Sequence, residues 1–145
     1  MIRVLFVCTG NTCRSPMAEA ILKAKKIKHV EVKSAGVFAI DGGEASYQAQ
    51  QVLAEKNIGH SHRSALLTSE LVDWATYVLT MTVGHKNTIL AQYPSSVEKT
   101  FTLKEFASED ISGDVLDPFG GSIEQYKRTF EELDLLIQSM RDKLE

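Results

Sequence analysis

Eight consecutive residues near the start of the chain, Cys8-Thr9-Gly10-Asn11-Thr12-Cys13-Arg14-Ser15, concentrate its reactive chemistry. A cysteine and an arginine flank a run of small and polar residues, a combination that suits an anion and a thiol nucleophile. Successive backbone N–H groups in a tight loop converge on one centre and hold an anion. A helix starting at the loop's end adds unpaired N–H groups and the positive end of its dipole. The same field stabilises the thiolate form of a cysteine placed there. Arg14 supplies a planar fork of donors that matches phosphate oxygens in pairs. Gly10 and Asn11 are the residue types that most easily enter the left-handed backbone such a loop needs.

The elements that must position this loop are legible around it. Val4-Leu5-Phe6-Val7 runs straight into Cys8, and an unbroken apolar strand implies burial on both faces, as in a parallel sheet. Ser15 reads as a helix cap and Pro16 as the first helical position, with the helix continuing to about Lys26. Val30 to Ser34 alternates as a second strand, and Ala45 to Lys56 reads as a second helix ended by Asn57 and Gly59. His60 to Ser64 is a polar loop, Thr68-Ser69-Glu70-Leu71 a short capped helix, and Tyr77 to Met81 a third strand. Val83 to Gln92 is helical, Lys99 to Leu103 is an edge strand, and Glu105 to Gly121 reads as loop. The last helix spans Ile123 to about Lys143, with Tyr126, Phe130, Leu133, Ile137 and Met140 as its buried stripe. His29 and His85 are expected at the surface, and Phe38 and Phe119 as apolar walls of the pocket.

Strands alternating with helices predict an α/β three-layer sandwich: a four-stranded parallel sheet, helices on both faces, and the phosphate-binding loop after strand one. In such sheets ligands bind beyond the carboxyl ends of the strands, where this loop lies. With 145 residues and no repeat or linker, residues 1–145 are expected to form one domain. A net charge of −3 speaks against a nucleic-acid binder. No apolar run approaches a membrane span, Met1-Ile2-Arg3 is not a signal peptide, and two cysteines do not make a disulfide framework. The expectation from these features is a reduced, cytoplasmic enzyme or binding domain.

Cys-x5-Arg-Ser between strand and helix resembles the protein tyrosine phosphatase signature. The fuller stretch from Val7 to Pro16, at the N-terminus, resembles the low-molecular-weight protein tyrosine phosphatase family. Ser34-Ala35-Gly36, His62 and Asp117-Pro118-Phe119 match that family in order, so the resemblance covers nearly the whole chain. It implies Cys8 as nucleophile, Arg14 as the clamp on the phosphoryl oxygens, and Asp117 as the acid that protonates the leaving group. It also implies Thr9, Gly10, Asn11, Thr12, Cys13, Ser15 and Phe119 around the substrate, with Asn11, Ser34 and His62 holding the loop's shape. The substrates implied are phosphorylated proteins, and the chemistry implied needs no metal or organic cofactor; a monomer is expected.

Thr12 departs from the family's tyrosine-directed pattern, which carries Ile there. The stretch resembles instead the bacterial protein-arginine phosphatase branch. Phe119-Gly120 also replaces a Tyr-Tyr pair found in animal members. Asp117 suits phosphoarginine, because a carboxylate pairs with a guanidinium and then protonates its nitrogen. A tyrosine phosphatase in which Thr12 has drifted is the alternative. Arsenate reductases of the same fold use a relay of three cysteines, and this chain has two. A non-catalytic phosphate-binding module needs neither Cys8 nor Asp117. Cys13 is either an inert first-turn residue or, as the resemblance favours, a resolving thiol for Cys8. A zinc site of Cys8, Cys13, His60 and His62 is disfavoured, because an anion loop and a cation site are opposite electrostatic designs.

Overall fold

A computed structural model describes residues 1–108 and 113–145. Four parallel strands stand in the order β2-β1-β3-β4, with β1 at Ile2–Cys8, β2 at Val30–Gly36, β3 at Tyr77–Thr80 and β4 at Thr100–Thr102. Register is set by pairs such as Phe6 with Ser34 and Phe6 with Leu79.

The unbroken apolar run of β1 divides by period two between two cores. Val4, Phe6 and Cys8 join one, with α1 (Arg14–Ala24), α2 (Tyr47–Glu55), α5 (Leu103–Ser108) and α6 (Ile123–Met140). Leu5 and Val7 join the other, with α3 (Ser69–Trp74) and α4 (Val83–Gln92). Helices therefore cover both faces, as the alternation of elements predicts, and β4 lies at the edge. The stripe from Tyr126 to Met140 is buried as expected.

Three local expectations need correction. Helix α1 begins at Arg14, and its N-cap, Cys13, has no side-chain cap bond. Ser15 is inside the first turn because its hydroxyl is committed to Cys8 and Asn11. Part of the stretch from Glu105 to Gly121 is helical, since α5 reaches Ser108. Thr102 Oγ1 accepts from the Glu105 nitrogen at 3.0 Å and Glu105 Oε1 from the Thr102 nitrogen at 3.1 Å, a reciprocal cap. Residues 109–112 of that stretch lie outside the described residues. Finally, α6 ends at Met140, and Arg141–Lys143 is a 3-10 turn.

Candidate active site

The carboxyl end of β1, the central meeting point of β2 and β3, delivers Cys8 to the floor of a cavity of about 210 Å³. Thr9, Gly10, Thr12, Cys13, Arg14, Asp117 and Phe119 complete its lining.

The loop owes its shape to its carbonyl groups. The carbonyls of Cys8, Thr9, Thr12 and Cys13 accept from Val37 N at 3.0 Å, Phe38 N at 2.9 Å, Ser46 N at 2.8 Å and Met17 N at 3.3 Å. The Asn11 carbonyl accepts from His62 Nε2 at 2.7 Å. In a trans peptide the C=O and the next N–H point opposite ways. Carbonyls tied to the surroundings therefore turn the N–H groups of Thr9, Gly10, Thr12, Cys13 and Arg14 toward the loop's own centre. That is the nest an anion requires.

Asn11 alone in the loop takes the left-handed backbone, at φ 56°; Gly10 does not, contrary to expectation. Gly36 is the glycine that sterics demand here. A Cβ there would collide with the Thr9 carbonyl oxygen and lie 2.9 Å from the Asn11 nitrogen. The close approach of β2 to the loop excludes any side chain at that position.

The Asn11 side chain orders the groups around the sulfur. Its Oδ1 accepts from Ala65 N at 2.9 Å, which fixes the amide so that Nδ2 donates to Ser15 Oγ at 2.7 Å and Ser34 Oγ at 2.9 Å. Ser34 passes its own hydrogen to Glu19 Oε1 at 2.5 Å. Ser15 Oγ lies 2.8 Å from Cys8 Sγ. Ser34 and His62, expected to hold the loop, are thus joined to it directly or through Asn11.

Arg14 is buried at 4% exposure. One terminal nitrogen donates to the Val115 carbonyl at 2.8 Å and the other lies 3.5 Å from Asp117 Oδ2. Asp117 Oδ1 accepts from Phe119 N at 3.0 Å, so the carboxylate is steered by its own turn. Phe119, at 76% exposure, stands at the cavity's mouth. Phe38 is exposed and does not line this cavity, because its backbone N–H, not its ring, is what the loop engages.

Four residues to which the sequence assigns no part in supporting the loop lie beside it. His85 is buried rather than exposed, with Nε2 2.8 Å from Thr9 Oγ1. Burial, and then the Arg14 charge, push its pKa down to about 4. Tyr126 places its hydroxyl 3.2 Å from Cys13 Sγ, and burial with that contact pushes the phenol up to about 12. Glu19 and His60 form a group with His62. Among the described residues His60 and His62 group with this carboxylate and not with the thiols, so the four-residue zinc set does not assemble. The buried stripe had marked Tyr126 as apolar core only. A single acidic residue on the otherwise apolar face of α1 was the available signal for Glu19.

The model of the low molecular weight phosphotyrosine protein phosphatase family matches residues 3–145. A protein-arginine-phosphatase of Geobacillus stearothermophilus is 56% identical over 99% of this chain and 96% of its own length. The solved YwlE arginine phosphatase structure from that organism superposes with a TM-score of 0.97, covering 99% of this chain and 93% of that one. A low molecular weight protein-tyrosine-phosphatase, PtpB, of Staphylococcus haemolyticus is 39% identical over 97% of this chain and 98% of its own length. The crystal structure of a low molecular weight protein tyrosine phosphatase from T. tengcongensis is 49% identical, with a TM-score of 0.93 and 99% of both chains covered. The matched span takes in the loop with Cys8 and Arg14 as well as Asp117, and the chain belongs to the low molecular weight phosphotyrosine protein phosphatase family.

Proposed function

We propose that this chain is a cysteine-dependent protein phosphatase directed at phosphoarginine. The observation that carries the reading is the Cys8 sulfur at the base of a cavity bounded by Arg14, Thr12 and Asp117. In the first step the Cys8 thiolate attacks phosphorus, the S–P bond forms and the P–N bond breaks. Asp117 gives its proton to the departing guanidino nitrogen. Arg14 and the inward N–H groups hold the equatorial oxygens while charge shifts. In the second step the ionised Asp117 takes a proton from water, the water oxygen attacks phosphorus, and the S–P bond breaks. Orthophosphate leaves, and the electron pair returns to sulfur, where the Ser15 hydroxyl stabilises it.

Arginine specificity draws on Thr12 and on the Geobacillus relative named as a protein-arginine-phosphatase. The second reading is a tyrosine phosphatase. It draws on the exposed ring of Phe119 at the mouth, which would also flank an aromatic leaving group. We further read residues 1–145 as one domain, acting as a monomer in the cytoplasm on phosphorylated proteins, without nucleic acid or membrane. Two free cysteines agree with a reducing compartment. No helix among the described residues is long and apolar enough to cross a membrane.

The test is release of orthophosphate from a phosphoarginine peptide. Wild type should turn it over, and Cys8→Ser should not while still binding vanadate. Turnover by Cys8→Ser would remove the covalent mechanism.

A further inference from the structure

Behind the phosphate loop, Glu19, His60 and His62 bring three donor atoms within 4.8 Å of one another. Glu19 Oε1 lies 3.9 Å from His60 Nε2 and 3.8 Å from His62 Nδ1. The three side chains are only 10%, 5% and 5% exposed.

The hydrogen bonding sets what each atom offers. His62 Nε2 meets the Asn11 carbonyl, which only accepts, so this nitrogen carries the hydrogen. In the neutral ring Nδ1 is then a bare lone pair facing the carboxylate. His60 Nε2 is buried and has no hydrogen-bond partner among the described residues. A carboxylate cannot satisfy the lone pair of an imidazole nitrogen, since both only accept. The three atoms share one deficit, a positive centre between them.

We propose that Glu19, His60 and His62 form a binding site for one divalent transition cation of the Zn²⁺ class. Two imidazole nitrogens with one carboxylate oxygen is a zinc-type donor set, whereas Mg²⁺ and Ca²⁺ take oxygen ligands. Zinc–ligand distances of about 2.0–2.2 Å place tetrahedral ligands about 3.4 Å apart. The two gaps to Glu19 need to close by about half an ångström, and the gap between the two imidazole nitrogens, which is within 4.8 Å, by at most about 1.4 Å, within reach of a ring rotation. The outer contacts are those of a ligating set: His62 donates its second nitrogen to a backbone carbonyl, and Glu19 accepts from Ser34 at 2.5 Å and Lys23 at 2.6 Å. Lys23 opposes a cation by its charge and moderates the affinity. A cleft of about 600 Å³ lined by His60, His62, Glu44 and Arg63 gives a way in and room for a water as fourth ligand. A cation on Nδ1 would polarise the His62 ring and tighten its bond to Asn11, coupling this site to the loop.

The experiment titrates the full-length protein with Zn²⁺ by calorimetry and with Co²⁺ by absorption, in phosphate-free buffer. One equivalent should bind, and the Co²⁺ complex should show tetrahedral d–d bands without a thiolate charge-transfer band. Zn²⁺ should raise the melting temperature by mass action. His60→Ala should weaken binding at least about tenfold and shrink the rise at the same Zn²⁺ concentration, since one ligand of three is lost. The metal-free melting temperature of each variant checks its fold, and His60→Gln, which keeps more of the side chain's volume, serves if the alanine variant is unfolded. Failure to bind at millimolar Zn²⁺ would overturn the proposal. So would a thiolate band, or binding that survives His60→Ala and vanishes in Cys8→Ser.

Discussion

Asn11 Nδ2 donates to Ser15 Oγ at 2.7 Å, and Ser15 Oγ lies 2.8 Å from Cys8 Sγ. A thiolate only accepts, so once the sulfur is ionised the serine's own hydrogen is the one that bridges them. The donor is placed for the step in which sulfur regains its charge. A hydrogen bond to a charged group contributes about 1.5–3 kcal/mol. Ser15→Ala should therefore slow breakdown of the phosphocysteine by about 10- to 100-fold. Rapid-quench kinetics on nitrophenyl phosphate should show a burst followed by a slower steady rate. Equal slowing of both phases would mean that Ser15 acts earlier than the second step.

Asp117 faces Arg14 at 3.5 Å with about half of its side chain exposed, so their ion pair adds little to stability. Asp117→Asn should leave the melting temperature nearly unchanged. Turnover should fall by about 10²–10⁴-fold for a poor leaving group and much less for nitrophenolate. The same loss on both leaving groups would indicate a positional role.

Much of this arrangement is legible in the order of residues, because it is local. Cys8 to Ser15 announces the loop, and Val4 to Val7 announces the doubly buried strand that carries it. What stayed hidden depends on partners far along the chain. Burial of His85 follows from its meeting Thr9, and Tyr126 meets Cys13 only once α6 packs against α1. Periodicity marks Tyr126 as core but is silent on its hydroxyl. Ser15 looks like a cap because serine commonly caps; its competing bonds to Cys8 and Asn11 appear only in three dimensions. Helix α5 was legible in principle, since Thr102-Leu103-Lys104-Glu105 has the spacing of a capping box.

Cys13 lines the same cavity as Cys8 and is held by Tyr126. Mild peroxide should inactivate the enzyme reversibly, because sulfenic acid at Cys8 condenses with a nearby thiol. Dithiothreitol should restore activity in wild type but not in Cys13→Ser after the same exposure. Peptide mapping of the oxidised protein should find a Cys8–Cys13 link, and its absence would refute the resolving role.

His85 gives the fold a specific acid sensitivity. Its pKa is about 4 in the folded protein, against an ordinary value of 6.5. Folding favours the neutral ring, so the contribution is complete above pH 6.5. It is lost as pH falls from 6.5 toward about 4, where the unfolded chain takes up a proton that the folded one refuses. His85→Gln removes the titration while keeping a polar partner for Thr9. Urea unfolding of both proteins across this window should show wild type losing stability relative to the variant. A difference independent of pH would contradict the assignment.

The most direct test of the central claim is the ratio of kcat/KM on matched phosphoarginine and phosphotyrosine peptides, for wild type and Thr12→Ile. Thr12 lines the same cavity as Cys8 and Asp117, where a bound substrate would meet it. Isoleucine keeps the β-branch and the backbone but replaces a hydroxyl with apolar surface. A methylene alone shifts such a preference by about 1–3 kcal/mol, and a lost polar contact adds to it. Cys8, Arg14 and Asp117 serve both substrates, so the ratio isolates the pocket from the chemistry. Wild type should prefer phosphoarginine, and Thr12→Ile should move the ratio toward phosphotyrosine by at least about tenfold. A wild-type preference for phosphotyrosine, or a ratio unmoved by the substitution, would contradict the arginine assignment and leave the tyrosine one.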